Sequence, residues 1–142
     1  MKKILLLVLS YVFAVSGCVT APSFHEADSS SPHAVLKFQS YMGIGNALTV
    51  IEINGHVPDS LKWNYHHFQV SPGHVSVLVE SCQSLRNGYI GSAIVDIDVE
   101  ANRTYSFTRD IQKDGIVLTV TRDDGYVFYH ANMSLDPGYC PG

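Results

Sequence analysis

The chain has 142 residues, with nine Lys and Arg against thirteen Asp and Glu, seven His and three Cys, and a net charge of −4. That length holds one domain with a real core and not two. The acidic balance argues against a nucleic-acid partner, which needs a cationic surface, and against direct adhesion to anionic lipid headgroups.

The first element is a leader. Met1-Lys2-Lys3 carries positive charge, and the run from Ile4 to Ala14 is apolar apart from Ser10 and Tyr11. A stretch of about a dozen apolar residues is too short to span a bilayer permanently and has the size of a signal-peptide core. Small residues then lead to the first cysteine in Val15-Ser16-Gly17-Cys18. This tetrapeptide resembles the lipobox of bacterial lipoproteins. The resemblance implies cleavage before Cys18, a diacylglycerol thioether on its sulfur, and a palmitate-type acyl chain on its new amino group. Several chains give the stable anchoring that one chain does not. Residues 1–17 are then the signal peptide. Val19 stands where an Asp retains enterobacterial lipoproteins in the inner membrane, so the resemblance implies an outer-membrane location, facing the periplasm or the cell surface. Removal of Lys2 and Lys3 leaves seven basic and thirteen acidic side chains. The expected membrane contact is therefore the lipid alone.

Residues 18–33 follow as a lipidated N-terminus and flexible tether, rich in Ser and Pro and without apolar periodicity. Fully extended, such a tether reaches roughly 50 Å at about 3.4 Å per residue.

From Ala34 to the end, residues 34–142, the pattern has period two with regular turn signals, which predicts an all-β antiparallel sandwich of about seven or eight strands. Strands are expected at 34–40, 47–53, 63–70, 74–80, 93–100, 103–110, 115–121 and 125–132. Val75, Val77 and Val79 share one face of their strand, as do Val95, Ile97 and Val99, with Asp96, Asp98 and Glu100 on the other. Half-buried strands read this way. Asn54-Gly55, Pro72-Gly73, Asn87-Gly88, Asp114-Gly115 and Asp124-Gly125 supply turn chemistry between them.

Three stretches together resemble a known pattern: Leu48 to Gly55 ending in Ile-Asn-Gly, Val70 to Val77 with Pro72-Gly73-His74, and Asn102-Arg103-Thr104-Tyr105-Ser106-Phe107. They look like the PEGA-type envelope domains and related small lipoproteins over roughly residues 47–110. The resemblance implies an immunoglobulin-like or transthyretin-like sandwich used for binding or scaffolding. The segment from His56 to Gln69 departs from that pattern with a bulky aromatic insertion.

Trp63, Tyr65 and Phe68 in this insertion form an aromatic anchor for a partner if they share an exposed face, and core if they do not. Cys82 and Cys140 are a disulfide pair in an oxidising compartment, or two free thiols. A bridge closing nearly sixty residues contributes about 3–4 kcal/mol. His56, His66, His67 and His74 are the candidates for a metal site. No H-x-H, H-x-x-x-H or C-x-x-C spacing supports one, and adjacent residues His66 and His67 on a strand point to opposite faces. Asp96, Asp98 and Glu100 are calcium ligands only if a loop adds carbonyls, and otherwise a solvated face. No nucleophile elbow is present, and no catalytic residue and no cofactor are expected. The sequence thus predicts a lipid-anchored binding or scaffolding module with an envelope protein or glycan as partner. An accessory lipoprotein of a secretion or other envelope-spanning machine, and a periplasmic metal-binding protein, are the alternatives.

Overall fold

The computed structural model describes residues 24–39, 48–58, 67–83 and 89–137. These contain β1 (Ala34–Phe38), β2 (Leu48–Ile53), β3 (His67–Val70), β4 (Gly73–Gln83), β5 (Tyr89–Val99), β6 (Thr104–Gln112), β7 (Gly115–Arg122), β8 (Val127–Asn132) and β9 (Ser134–Pro137). They form a five-stranded sheet in the order β3-β1-β6-β7-β8 and a four-stranded sheet in the order β2-β4-β5-β9. The protein is an all-β sandwich.

Alternation builds the core. Val75, Val77 and Val79 of β4 lie opposite Ile97, Val95 and Ala93 of β5, so one face of the four-stranded sheet is a continuous apolar layer. Against it the five-stranded sheet sets Leu36 and Phe38, Tyr105 and Phe107, and Ile116, Leu118 and Val120, all buried. Phe38 stacks on Phe107 at 4.4 Å and meets Phe68 edge-on at 5.7 Å. Area removed from water at about 25 cal/mol per Å² makes these aromatic rings the largest single contributions to the core.

Asn54 and Gly55 both have positive φ, 52° and 74°, and Ile53 and His56 exchange both backbone hydrogen bonds around them. This is the two-residue turn whose twist matches paired strands, and it explains why Asn-Gly stands there. Asn54 also accepts a 2.8 Å bond on Oδ1 from the Ser76 N–H and donates its own N–H to the Ser76 carbonyl. Two of the stretches that resemble the envelope pattern are thereby fastened to each other.

Two of the connections that pass between the sheets are held by buried side chains. Between β5 and β6, Asn102 has φ 60°, and the fully buried Tyr105 reaches back so that its hydroxyl accepts the Glu100 N–H at 2.9 Å. A tyrosine corner of this kind pins a sandwich connection. Between β8 and β9 only Met133 intervenes, buried, with its N–H bonded to the Ile116 carbonyl at 2.8 Å. One nearly continuous segment thus closes the β8/β9 side of the sandwich. Gly91 of β5 lies under this crossover: a Cβ there would sit 3.1 Å from Ile116 Cδ1 and 3.3 Å from Met133 Cβ.

Several expectations change. The described residues form nine strands, consistent with the seven or eight expected, and the added one is Ser134–Pro137, which pairs with β5 although all four residues are exposed and carry no alternation. The sandwich is not wholly antiparallel, since β1 runs parallel to β6. β4 and β5 form a hairpin of 11 residues each, longer than the apolar alternation alone marks. β3 starts at His67, and residues 63–66 lie outside the described residues. Residues 24–33 have the composition of a tether, and three of them are bonded to the domain: Phe24, Ala27 and His33. Phe24 donates its N–H to the Val57 carbonyl at 2.8 Å, Ala27 donates to the Gln69 carbonyl at 2.9 Å, and the Phe24 ring meets Phe68 edge-on at 6.0 Å. Ser and Pro content carries no information about one aromatic ring that finds a partner.

Candidate functional site

Strand register, not sequence proximity, assembles an open depression on the five-stranded sheet. Lys37 of β1 is paired with His67 of β3 on one side and Ser106 of β6 on the other, so the three form one row on the outer face of the five-stranded sheet. Gln39 and Thr108 extend it past the end of β1. Together with Phe38 and Phe107 these residues line an open depression of about 470 Å³. Gln39 is fixed there, accepting the Arg109 N–H on Oε1 at 2.9 Å and donating its own N–H to the Phe107 carbonyl at 2.9 Å. The lining offers one ammonium, one imidazole, two hydroxyls and an amide, and no carboxylate. Such a set hydrogen-bonds hydroxyl, carbonyl or anionic groups. Residues 59–66, with Trp63 and Tyr65, immediately precede His67 in the chain.

The outer face of the four-stranded sheet has the opposite character. His74 stands between two carboxylates, Nδ1 3.3 Å from Asp98 and Nε2 3.7 Å from Asp96, all well exposed. Beside them Leu78 of β4 is paired with Ile94 of β5, and Ile94 is 62% exposed.

A charged network surrounds the β5–β6 corner. Arg122 holds Asp124 at 2.7 Å and Glu100 at 2.8 Å, and Arg103 holds Asp123 at 3.0 Å. The hydrogen bond from the Arg122 guanidinium, reinforced by the Tyr126 N–H, lowers the Asp124 carboxyl to about 2. The same pairing holds Arg122 further above its ordinary value, and the Tyr105 hydroxyl acts in the same direction. Its guanidinium lies 5.4 Å from the Phe128 ring centre. These are contacts of structure: each charge is turned to a partner on the same corner.

The predicted site residues distribute as follows. Cys18, Trp63, Tyr65, His66 and Cys140 lie outside the described residues. Phe68 is withdrawn as a partner contact: it is 6% exposed and packs between Phe24 and Phe38. His67 and His74 lie on the outer faces of different sheets, and the His56 ring bonds the Asn54 carbonyl at 2.8 Å within its own turn. Among the described residues no group of three or more His, Cys, Asp or Glu is placed to hold a metal ion. The carboxylate row divides, since Asp96 and Asp98 face His74 whereas Glu100 pairs with Arg122. Cys82 lies on β4, its backbone opposite Ile90, which in turn lies opposite Asp136 of β9.

The depression and the corner network were not foreseen in the sequence. A Tyr shortly after Asn102 and the Asp-Asp-Gly turn beside Arg122 were the available signals for the corner. The depression spans three strands that are not consecutive and left no local signal. Compared with protein-family models, curated proteins and solved structures, the chain matches none. What the described residues define is a small β-sandwich with an open depression over β1, β3 and β6.

Proposed function

We propose that this chain is a lipoprotein of the bacterial outer membrane, anchored through acylated Cys18, whose sandwich is a non-catalytic module that binds an envelope partner. The observation that carries this reading is the order of parts: a charged and apolar leader, Val15-Ser16-Gly17-Cys18, and then one β-sandwich. The turn motifs shared with PEGA-type envelope domains support the same assignment, because they form the connections that fasten β2 to β4.

The contact surface of this reading is the depression over β1, β3 and β6, and Trp63 and Tyr65, which lie outside the described residues, are the aromatic candidates that the sequence offers. The chemistry is recognition alone: Lys37, Ser106 and Thr108 donate or accept hydrogen bonds, and nothing is turned over.

A Cys82–Cys140 bridge belongs to this proposal and suits the topology. β4 and β9 flank β5 and run in the same direction, so both chains leave the four-stranded sheet at the same end. Their backbones are two strand spacings apart, about 10 Å, and three links from Pro137 to Cys140 extend about as far.

The test is reversible crosslinking in intact cells, followed by capture and mass spectrometry, comparing wild type with Trp63→Ala/Tyr65→Ala and with Lys37→Ala. One envelope protein enriched with wild type and lost with both variants supports the adaptor reading. If that protein belongs to a membrane-spanning assembly, the role is that of its accessory lipoprotein. No enrichment, with the protein still membrane-bound, contradicts a protein partner and directs the search to envelope glycans.

A further inference from the structure

The stretch between Cys18 and β1 was read as a long leash, and the contacts of Phe24 and Ala27 change its length. Phe24 is fastened by a 2.8 Å backbone bond to Val57 and an edge-on contact with Phe68, and Ala27 by a 2.9 Å bond to Gln69. Val57 follows the hairpin at the end of β2, and Phe68 and Gln69 belong to β3. The segment therefore clasps the two sheets along the side where β3 and β2 are the edges. The opposite side is closed by the Met133 crossover between β8 and β9. Asp28 continues the attachment as a turn, its carboxylate accepting the Ser30 N–H at 3.0 Å.

We infer that the contacts of Phe24 tie the anchor to the β3/β2 side of the sandwich and hold that side next to the membrane. The inference rests on the acylation of Cys18. Six links join Cys18 to Phe24, and at about 3.4 Å each they reach no further than about 20 Å. A leash released as far as Ala34 would instead reach roughly 50 Å. Across the five-stranded sheet, four spacings of about 4.8 Å place β8 about 19 Å further from the attachment than β3. The clasp thus converts a freely reaching module into one with a membrane-near and a membrane-far side. The depression over β1, β3 and β6 lies in the near half, and a partner that occupies it must itself approach the bilayer surface.

The experiment uses the full acylated protein, isotope-labelled and reconstituted in discs of phosphatidylethanolamine and phosphatidylglycerol that contain a nitroxide-headgroup lipid. Amide relaxation is compared between Val57 with His67–Val70 on one side and Val127–Asn132 on the other. The expected enhancement on the β3 side exceeds that on β8 by roughly tenfold before averaging over the leash, and at least about threefold after it. Insertion of about ten Gly and Ser residues between Ser23 and Phe24, which leaves the folded domain untouched, is expected to erase the difference. Equal or reversed enhancement in the acylated protein, or a difference that survives the insertion, overturns the inference and leaves anchoring intact. Wild type retained on the discs no better than Cys18→Ser overturns the anchoring, and the inference with it.

Discussion

Tyr105→Phe removes one atom from the corner where the chain passes from the four-stranded to the five-stranded sheet. The ring stays, with its edge-on contact to Phe128 at 5.4 Å and its place in the core. What is lost is the acceptor of the Glu100 N–H at 2.9 Å, beside the Arg122 guanidinium whose charge the hydroxyl favours. Glu100 is exposed, so water replaces part of the loss, whereas the hydroxyl site itself is fully buried. One stranded donor beside a charged group gives a destabilisation of about 1–2 kcal/mol, which lowers the melting temperature of a domain this size by about 4–10 °C. Urea titration followed by circular dichroism reads it directly: the midpoint falls and the slope does not change. A Tyr105→Phe midpoint indistinguishable from wild type, with Tyr105→Ala strongly destabilised, refutes the role given to the hydroxyl and leaves only ring packing.

The other predictions concern charge, packing and the thiols. The Asp124 carboxyl, observed by NMR, titrates near about 2, and Arg122→Ala moves it toward the ordinary 3.8. Because the folded value is the depressed one, its contribution to stability is full above the ordinary value and is lost as pH falls from there through about 2. An unshifted Asp124 in wild type contradicts the network. Gly91→Val forces a side chain into Ile116 and Met133 and costs about 1–3 kcal/mol, read by thermal unfolding; a neutral result would mean that the β8–β9 crossover does not close over β5. Reduction of the purified protein is expected to change the mass by one disulfide and to lower stability by about 3–4 kcal/mol; two free thiols in the untreated protein contradict the bridge.

Much of the sandwich was legible because its chemistry is local. Val75, Val77 and Val79, and Val95, Ile97 and Val99, alternate within single strands, and the buried face follows from the pleat. Asn54-Gly55 announces its own turn by needing positive φ at both positions. The misses share a different cause. β9, Ser-Leu-Asp-Pro, has neither alternation nor burial, and is a strand only because β5 offers it an edge. The parallel pairing of β1 with β6 joins residues some 70 positions apart, as in Leu36 opposite Tyr105, and no period in either strand encodes it. Phe68 carries the same aromatic signal whether it faces a partner or the core, and Phe24 and Phe38 decide the matter by packing on it. The candidate depression is of the same kind: Lys37, His67 and Ser106 become neighbours through register alone. The proposed lipobox, by contrast, is a contiguous motif and needs no fold to be read.

The central claim is an anchored module, and the N-terminus of the mature protein tests it most directly. Mass spectrometry of the N-terminal peptide, from protein extracted out of the outer-membrane fraction, is predicted to find Cys18 as the first residue, carrying a thioether-linked diacylglycerol and an amide-linked acyl chain. An unmodified Cys18, or a mature chain that begins at another residue, would contradict the account.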